Sequence, residues 1–199
     1  MTLEQYVAQK AWEAASLERC PDHPEGGCGF GRHGTYGRKC PVACQVARWY
    51  CPMGHKTYSL LPDCLAAQMT GTLHAAQQAA AAVERGEPVQ PLVDLLRPAD
   101  EAADAVGLAA GVQWIKRRSR NVIAGLLVVA GLMPEVFGDC AATVDGFAQR
   151  LGSEAVLVRL RQRCAAHLQR VPAPIGFLRV SASSHAAMTS SQQSMRTRR

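Results

Sequence analysis

The chain has 199 residues, of which 48% are hydrophobic and 19% are charged, and its formal net charge is +6. This length suits one ordinary domain or two small ones, and the composition excludes a fibrous or wholly disordered protein. The charge is unevenly placed, because residues 66–104 carry 2 basic and 6 acidic residues whereas residues 105–134 carry 4 basic and none acidic. These two segments could pair internally, so the basic one need not meet a polyanion.

The first predicted element is an amphipathic leader helix within residues 1–19, where apolar residues recur at helical spacing from Leu3 to Ala15. The N-terminus has neither the basic start nor the apolar stretch of a signal peptide, so we expect a cytoplasmic protein. In a reducing compartment, clustered cysteines and histidines indicate a metal site more often than disulfides.

Residues 20–64 hold six of the eight cysteines and three of the six histidines. The first part of this segment is rich in Gly and Pro, which favours turns over long elements. Strand-type residues then stand at 45–50 and 56–61, on either side of a tight turn from Cys51 to His55. Strand, metal turn and strand form the second half of a zinc ribbon, so residues 20–64 are predicted to be a zinc-ribbon-like domain of short β-strands and loops.

Two turns in this domain present paired metal-ligand residues, Cys20 with His23 and Cys51 with His55. A tetrahedral structural Zn²⁺ takes two ligands from each of two such turns. Cys28 competes with His23, because the chain from Pro24 to Gly27 could fold back and deliver its thiolate. The predicted ligands are therefore Cys20, Cys51 and His55 with either Cys28 or His23.

Cys40 and Cys44 form a third possible pair, and Cys64 stands alone. A set of zinc ligands that includes Cys40 and Cys44 is less favoured than the set of Cys20, Cys51 and His55 with Cys28 or His23. A redox-active thiol protein built on the same pair is a further alternative, which loss of zinc on mild oxidation would reveal.

Three segments of this region, Arg32–Lys39, Arg48–Pro52 and Thr57–Pro62, together resemble the zinc-ribbon head of bacterial transposase-related proteins. The resemblance covers roughly residues 20–70, about a quarter of the chain. His23 and His55 stand where that family usually has Cys. The resemblance implies association with DNA in a mobile-element setting.

From residue 65 onward the pattern becomes helical, and residues 65–178 are predicted to form an all-α domain. Its apolar run at 122–133 has 12 residues, which as a helix rise about 18 Å, short of the roughly 30 Å core of a bilayer. We therefore expect a buried helix and no membrane partner. Residues 179–199 are polar and basic, and are predicted to be a disordered tail.

The strongest predicted helix spans residues 109–131 and is basic in its first half. Six of its residues could contact phosphates or base edges: Gln113, Lys116, Arg117, Arg118, Arg120 and Asn121. The preceding residues 100–107 could be the first helix of a helix-turn-helix-like element, with Ala103 and Gly107 at its small-residue and turn positions. The opposing hypothesis is a solvated basic face paired with the acidic block of residues 84–104.

No sequence motif for catalysis is present: there is no nucleophile elbow, phosphate-binding loop or dinucleotide fingerprint. We therefore predict that the protein is not an enzyme. The predicted function is that of a zinc-stabilised DNA-binding protein, a non-catalytic accessory or relative of a bacterial transposition system that could have a protein partner in a transposition complex. The alternative is a zinc-ribbon module for protein–protein interaction without DNA binding.

Overall fold

A computed structural model describes residues 1–41, 43–96 and 108–178. The strands are β1 (Gly31–Gly37), β2 (Gln45–Cys51) and β3 (Lys56–Leu60). The helices are α1 (Leu3–Ala8), α2 (Ala11–Ala14), α3 (Leu73–Glu84), α4 (Val89–Leu96), α5 (Leu108–Leu132), α6 (Pro134–Phe137), α7 (Val144–Leu151) and α8 (Val156–Arg163), followed by a 3-10 turn at Ala165–His167.

The three strands form one antiparallel sheet in the order β1-β2-β3. Strands β2 and β3 pair from Cys51 opposite Lys56 to Ala47 opposite Leu60, so the turn between them stands at one end of the sheet. The register of β1 against β2 shifts between Arg32 and Thr35, which is an irregularity of the bulge type. The predicted strands on either side of the Cys51 turn are confirmed.

The leader segment forms two short helices instead of the single predicted one. Lys10 adopts a left-handed backbone conformation with φ 45°, which ends the helical path between α1 and α2. Thr2 caps α1, since its hydroxyl accepts a hydrogen bond from the Gln5 backbone N–H. The predicted amphipathic character holds, because Tyr6 and Trp12 are the buried residues of the two helices.

Both leader helices are fastened to the sheet by side chain–backbone hydrogen bonds. The Tyr6 hydroxyl donates to the Gln45 carbonyl at 3.0 Å. The guanidinium of Arg32 donates to the carbonyls of Trp12 at 2.6 Å and Glu13 at 2.7 Å. A small apolar cluster that includes Tyr6 and Trp12 fills the space between leader and sheet.

The helical body has its own, larger core. The long helix α5 passes through it, with an inner stripe at helical spacing that is almost fully buried. This stripe consists of Ile115, Val122, Leu126 and Val129. Phe137 and Phe147 stack beside it with ring centroids 4.8 Å apart. The prediction of a helical body after the sheet is confirmed, and the apolar run at 122–133 lies in the core of that body.

Two predicted features, the first helix of the helix-turn-helix-like element at 100–107 and the tail at 179–199, lie outside the described residues. The second helix of that element is part of α5, which has 25 residues. Within the described ranges, none of the helices combines the length and the hydrophobicity that crossing a bilayer requires.

Candidate functional site

Four side chains of the N-terminal half come together at the turn between β2 and β3. They are Cys20, His23, Cys28 and Cys51, and their ligand atoms all lie within 4.8 Å of one another. The three thiols are at most 3% exposed, and the imidazole is half-buried. Three sulfurs and one nitrogen at this separation could hold a metal ion.

The chain between Cys20 and Cys28 folds back on itself, which delivers both of its candidate ligands. Gly26 and Gly27 have φ values of +88° and +77°, a conformation that L side chains rarely adopt. This tight return places the Cys28 thiol on the same site as His23. The sequence left His23 and Cys28 as alternatives, whereas the structure brings both to the cluster.

The turn after Cys51 closes the other side of the cluster. The backbone N–H of Gly54 donates to Cys51 Sγ at 3.3 Å, which orients that sulfur. A side chain at Gly54 would have its Cβ 3.4 Å from the same sulfur and 3.6 Å from the His23 ring, so the turn lies directly over the site at van der Waals distance.

His55, the fourth predicted ligand, lies away from the cluster. Its backbone has φ 49°, and its Nδ1 lies 3.4 Å from the hydroxyl of Tyr50. The ring is exposed at the end of the sheet. The difference from the prediction arises because the residue of this turn that contacts Cys51 is Gly54, whose backbone N–H bonds to the sulfur. The next residue, His55, then lies beyond the site.

The thiols of the cluster do not share one ionisation behaviour. Burial acts to raise the pKa of Cys20, but hydrogen bonds from His23 and from nearby backbone N–H groups outweigh it and lower that pKa to about 6. Burial raises the pKa of Cys51, and the neighbouring Cys20 and Cys28 raise it further. Of these two thiols, Cys20 is therefore the one that more readily carries the negative charge.

Sequence reasoning missed the polar residues around the cluster. Asp22 forms a 2.6 Å ion pair with Lys56 across the turn. The Tyr58 hydroxyl is buried near Asp22 and Cys20 but has no well-aligned hydrogen-bond partner among the described residues. Burial, with these two acidic groups beside it, raises the pKa of Tyr58. The only signal in the sequence is that Asp22, Lys56 and Tyr58 lie next to predicted ligands or in the strand that follows them.

Two of the remaining thiols of this half, Cys44 and Cys64, pack in apolar surroundings. Cys44 is 1% exposed and Cys64 is half-buried, and both contact the apolar cluster beneath the leader helices. Burial raises the pKa of both, which disfavours the reactive thiolate that a redox centre needs. Cys40 is partly exposed, and its carbonyl accepts a hydrogen bond from Gly71.

The six residues of α5 that were predicted to contact nucleic acid fall into two groups by their exposure to solvent. Four of them are exposed, namely Gln113, Lys116, Arg117 and Arg120. At 100° per residue these four lie within an arc of about 100° opposite the buried stripe of α5. We call this set the basic face. No ion pair joins Lys116, Arg117 or Arg120 to a carboxylate of the described residues.

Arg118 lies inside the protein instead of on the basic face. Its side chain is 5% exposed and donates to the carbonyl and hydroxyl of Thr70 at 2.7 and 2.9 Å. The guanidinium carbon stands 3.9 Å from the centroid of the Trp114 ring. Burial lowers its pKa to about 10, so the group remains charged at neutral pH. Helical geometry explains the difference, because Arg118 follows buried Ile115 by three residues.

Asn121 is half-buried and lines a cavity of about 180 Å³ together with Gln68 and Pro172. It is therefore set back from the exposed arc that carries the basic face. Arg118 helps to hold α5 in place through Thr70, and the four exposed residues remain available to a partner.

Comparison with known proteins adds no relative. No protein-family model matches the sequence, no curated protein matches it, and no solved structure matches the chain.

Proposed function

We propose that this protein is a zinc-stabilised DNA-binding protein, a non-catalytic accessory or relative of a bacterial transposition system. The observation that carries the proposal is the basic face, a row of three cations and an amide that α5 presents to solvent. The mobile-element setting is supported by the resemblance of residues 20–70.

Zinc fits the distances within the cluster. Zn–S bonds of about 2.3 Å and Zn–N bonds of about 2.0 Å at tetrahedral angles separate a sulfur from a nitrogen by about 3.5 Å. Nδ1 of His23 lies 3.5 Å from Cys20 Sγ and 3.3 Å from Cys51 Sγ. A metal ion between the three atoms accounts for both distances.

The donor set also supports a structural role for the metal. Three thiolates and one imidazole fill all four positions of a tetrahedral ion, which is the pattern of a structural zinc site. A catalytic zinc would keep a position open for water or substrate. The metal would therefore hold the two turns of the sheet region together and take no part in chemistry.

The basic face suits a phosphate backbone. Residues at positions 113, 116, 117 and 120 repeat over two turns of helix and extend for about 10 Å along it. The face stands on a rigid base, since the next turn of α5 is packed in the core and Arg118 is held by Thr70. Cations on a rigid helix neutralise phosphates, and Gln113 could reach a base edge.

The acidic block is only partly free to compete for the basic face. Glu84 accepts hydrogen bonds from the Val144 N–H at the start of α7, and Glu87 pairs with Arg85 at 2.6 Å. The other carboxylates of the block belong to side chains outside the described part of the structure. Pairing of the basic face with them is the competing hypothesis, and it predicts weak or absent DNA binding.

The salt dependence of DNA binding tests the proposal. Neutralising about three phosphates gives a slope of log K against log salt near −3 on duplex DNA. The Lys116→Gln/Arg117→Gln/Arg120→Gln protein, the triple glutamine variant, is expected to lose most of that slope and at least about tenfold in affinity at low salt. Fluorescence anisotropy with a labelled duplex measures both quantities.

A matched control removes the same charge elsewhere on the helical body. Arg159, Arg163 and Arg170 are exposed, and their joint change to glutamine should leave most of the slope in place. If both triple variants lost the same affinity and salt slope, the effect would come from net charge alone, which would contradict a defined interface on α5. A wild-type protein that does not bind DNA would favour the protein-interaction alternative.

A further inference from the structure

The three-stranded sheet has one covered and one open face. Residues opposite each other in a ladder point to the same side, so Arg32, Trp49 and Tyr58 share a face. The leader helices and the metal cluster cover that side, since Arg32 bonds to the leader and Tyr58 lies beside Cys20. The opposite side is buried at one end, where Val46 pairs with Tyr36 and is fully buried, and where Tyr36 also packs against the apolar cluster beneath the leader helices. The rest of that side, together with the partly exposed ring of Tyr36, is what we call the open face: His33, Tyr36, Arg48, Tyr50, Thr57 and Ser59.

Aromatic rings and a guanidinium alternate along the open face. The rings of His33 and Tyr50 have centroids 5.3 Å apart, and the guanidinium of Arg48 stands 5.8 Å over the ring of Tyr36. His33 is exposed, and Tyr36, Arg48 and Tyr50 are half-buried. Flat groups with free surface in a row are suited to stacking on other flat groups.

The open face carries one positive charge and no negative charge. None of the residues of β1, β2 and β3 is acidic, and of their three basic residues only Arg48 lies on the open face, because Arg32 donates to the leader and Lys56 pairs with Asp22 on the covered side. Because the open face offers aromatic rings and Arg48 without a carboxylate among its members, it complements a polyanion that also carries aromatic rings. A single-stranded nucleic acid has both properties, and its unpaired bases are accessible for stacking.

A cleft of about 400 Å³ continues the open face toward the helical body. Its lining includes Tyr36 and Ser59 of the sheet together with Gln68, Gln169 and Phe177, and the Gln68 amide N–H donates to the Phe177 carbonyl. The amides could hydrogen-bond the edge of a base that stacks on Tyr36 or Phe177. The basic face of α5 has no such aromatic rings, so the two surfaces suit different forms of nucleic acid.

We infer that the open face is a binding site for unpaired bases of single-stranded nucleic acid. Tyr50, with His33, stacks on one base, and Arg48 with Tyr36 holds the next base and its phosphate. The inference rests on the proposed function, because it assigns a second, single-stranded ligand to a protein proposed to bind duplex DNA through α5.

Anisotropy with a labelled single-stranded oligothymidine and a labelled duplex, measured on the full chain, tests the assignment. Tyr50→Ala is expected to weaken single-strand binding about five- to a hundredfold, because stacking on an aromatic ring is lost. Duplex affinity should stay within twofold or so, on the order of the assay error. Tyr50→Phe keeps the ring and should retain single-strand affinity, which distinguishes stacking from a general effect on folding.

Thr35→Ala is the control on the sheet, since Thr35 is exposed and pairs with Ala47 on the other face. It should change neither affinity. Unchanged single-strand binding in Tyr50→Ala would overturn the inference, as would equal losses on both probes. In those cases the proposed function stands if the triple glutamine variant still loses duplex binding. If wild type binds neither probe, both proposals fail.

Discussion

Replacing Arg161 with methionine is expected to lower the free energy of unfolding by about 3–4 kcal/mol. The side chain is 2% exposed, and its guanidinium donates to five backbone carbonyls. These acceptors are Pro62, Asp63, Leu65, Pro174 and Ile175. Methionine keeps an unbranched apolar stem but is shorter than arginine and donates no hydrogen bond, so buried carbonyls would be left unpaired.

The cost is large because Arg161 joins three parts of the chain. Residues 62–65 lead from the sheet into the helical body, residues 174–175 form the C-terminal loop, and α8 supplies the guanidinium. Burial lowers the pKa of Arg161 to about 10, so the group is charged at neutral pH and its hydrogen bonds are charge-assisted. Lysine cannot reproduce a planar fork with five donors, and Arg161→Lys should also be destabilised.

Urea unfolding followed by circular dichroism measures this effect. Arg163→Met is the matched control, because Arg163 lies two residues further along the chain and is exposed; its expected change is within about 0.5 kcal/mol. Equal unfolding midpoints for Arg161→Met and wild type would show that the buried hydrogen bonds do not hold the two halves together.

Changing Cys51 to serine is expected to unfold the sheet region and leave the helical body folded. Binding of structural zinc contributes about 10–16 kcal/mol in small zinc domains, more than a marginally stable domain can lose. Besides the small apolar cluster beneath the leader helices, the sheet region has only the cluster at the metal site, which consists of the three thiols with Phe30 and Tyr58. The body keeps its separate core around α5.

Hydrogen exchange resolved by mass spectrometry distinguishes the two regions. Amides of β2 and β3 should exchange at nearly unfolded rates in Cys51→Ser, while those of α5 remain protected. A chelator should produce the same pattern in wild type. Cys64→Ser is the control, because Cys64 lies outside the metal cluster and packs beneath the leader helices. Protection of β2 in Cys51→Ser equal to that of wild type would contradict a metal-dependent fold.

Much of the fold could be predicted because its signals are local. The strand-type residues on either side of Cys51 and the helical spacing after residue 65 each fixed an element without reference to the rest of the chain. The split of the leader helix at Lys10 was not predicted. The left-handed conformation of Lys10 accompanies the packing of Tyr6 against Trp12, and the spacing of apolar residues in the sequence does not reveal it.

The candidate site was harder, because ligand choice depends on how two turns meet. Spacing alone made His55 as good a ligand as Cys28. What separates them is the return at Gly26 and Gly27 and the close approach of Gly54 to Cys51, which are properties of the folded turns. The prediction for Arg118 failed for a similar reason. Its charge suggested a surface residue, whereas its position three residues after the buried Ile115 places its side chain in the protein interior.

Zinc analysis by native mass spectrometry, on wild type and three variants, decides whether the metal centre exists and which residues form it. One equivalent of zinc is expected in wild type and in His55→Ala, and a loss of zinc in Cys28→Ser and His23→Ala. A folded wild-type protein without metal would contradict the account. So would a protein that loses its zinc in His55→Ala and keeps it in Cys28→Ser.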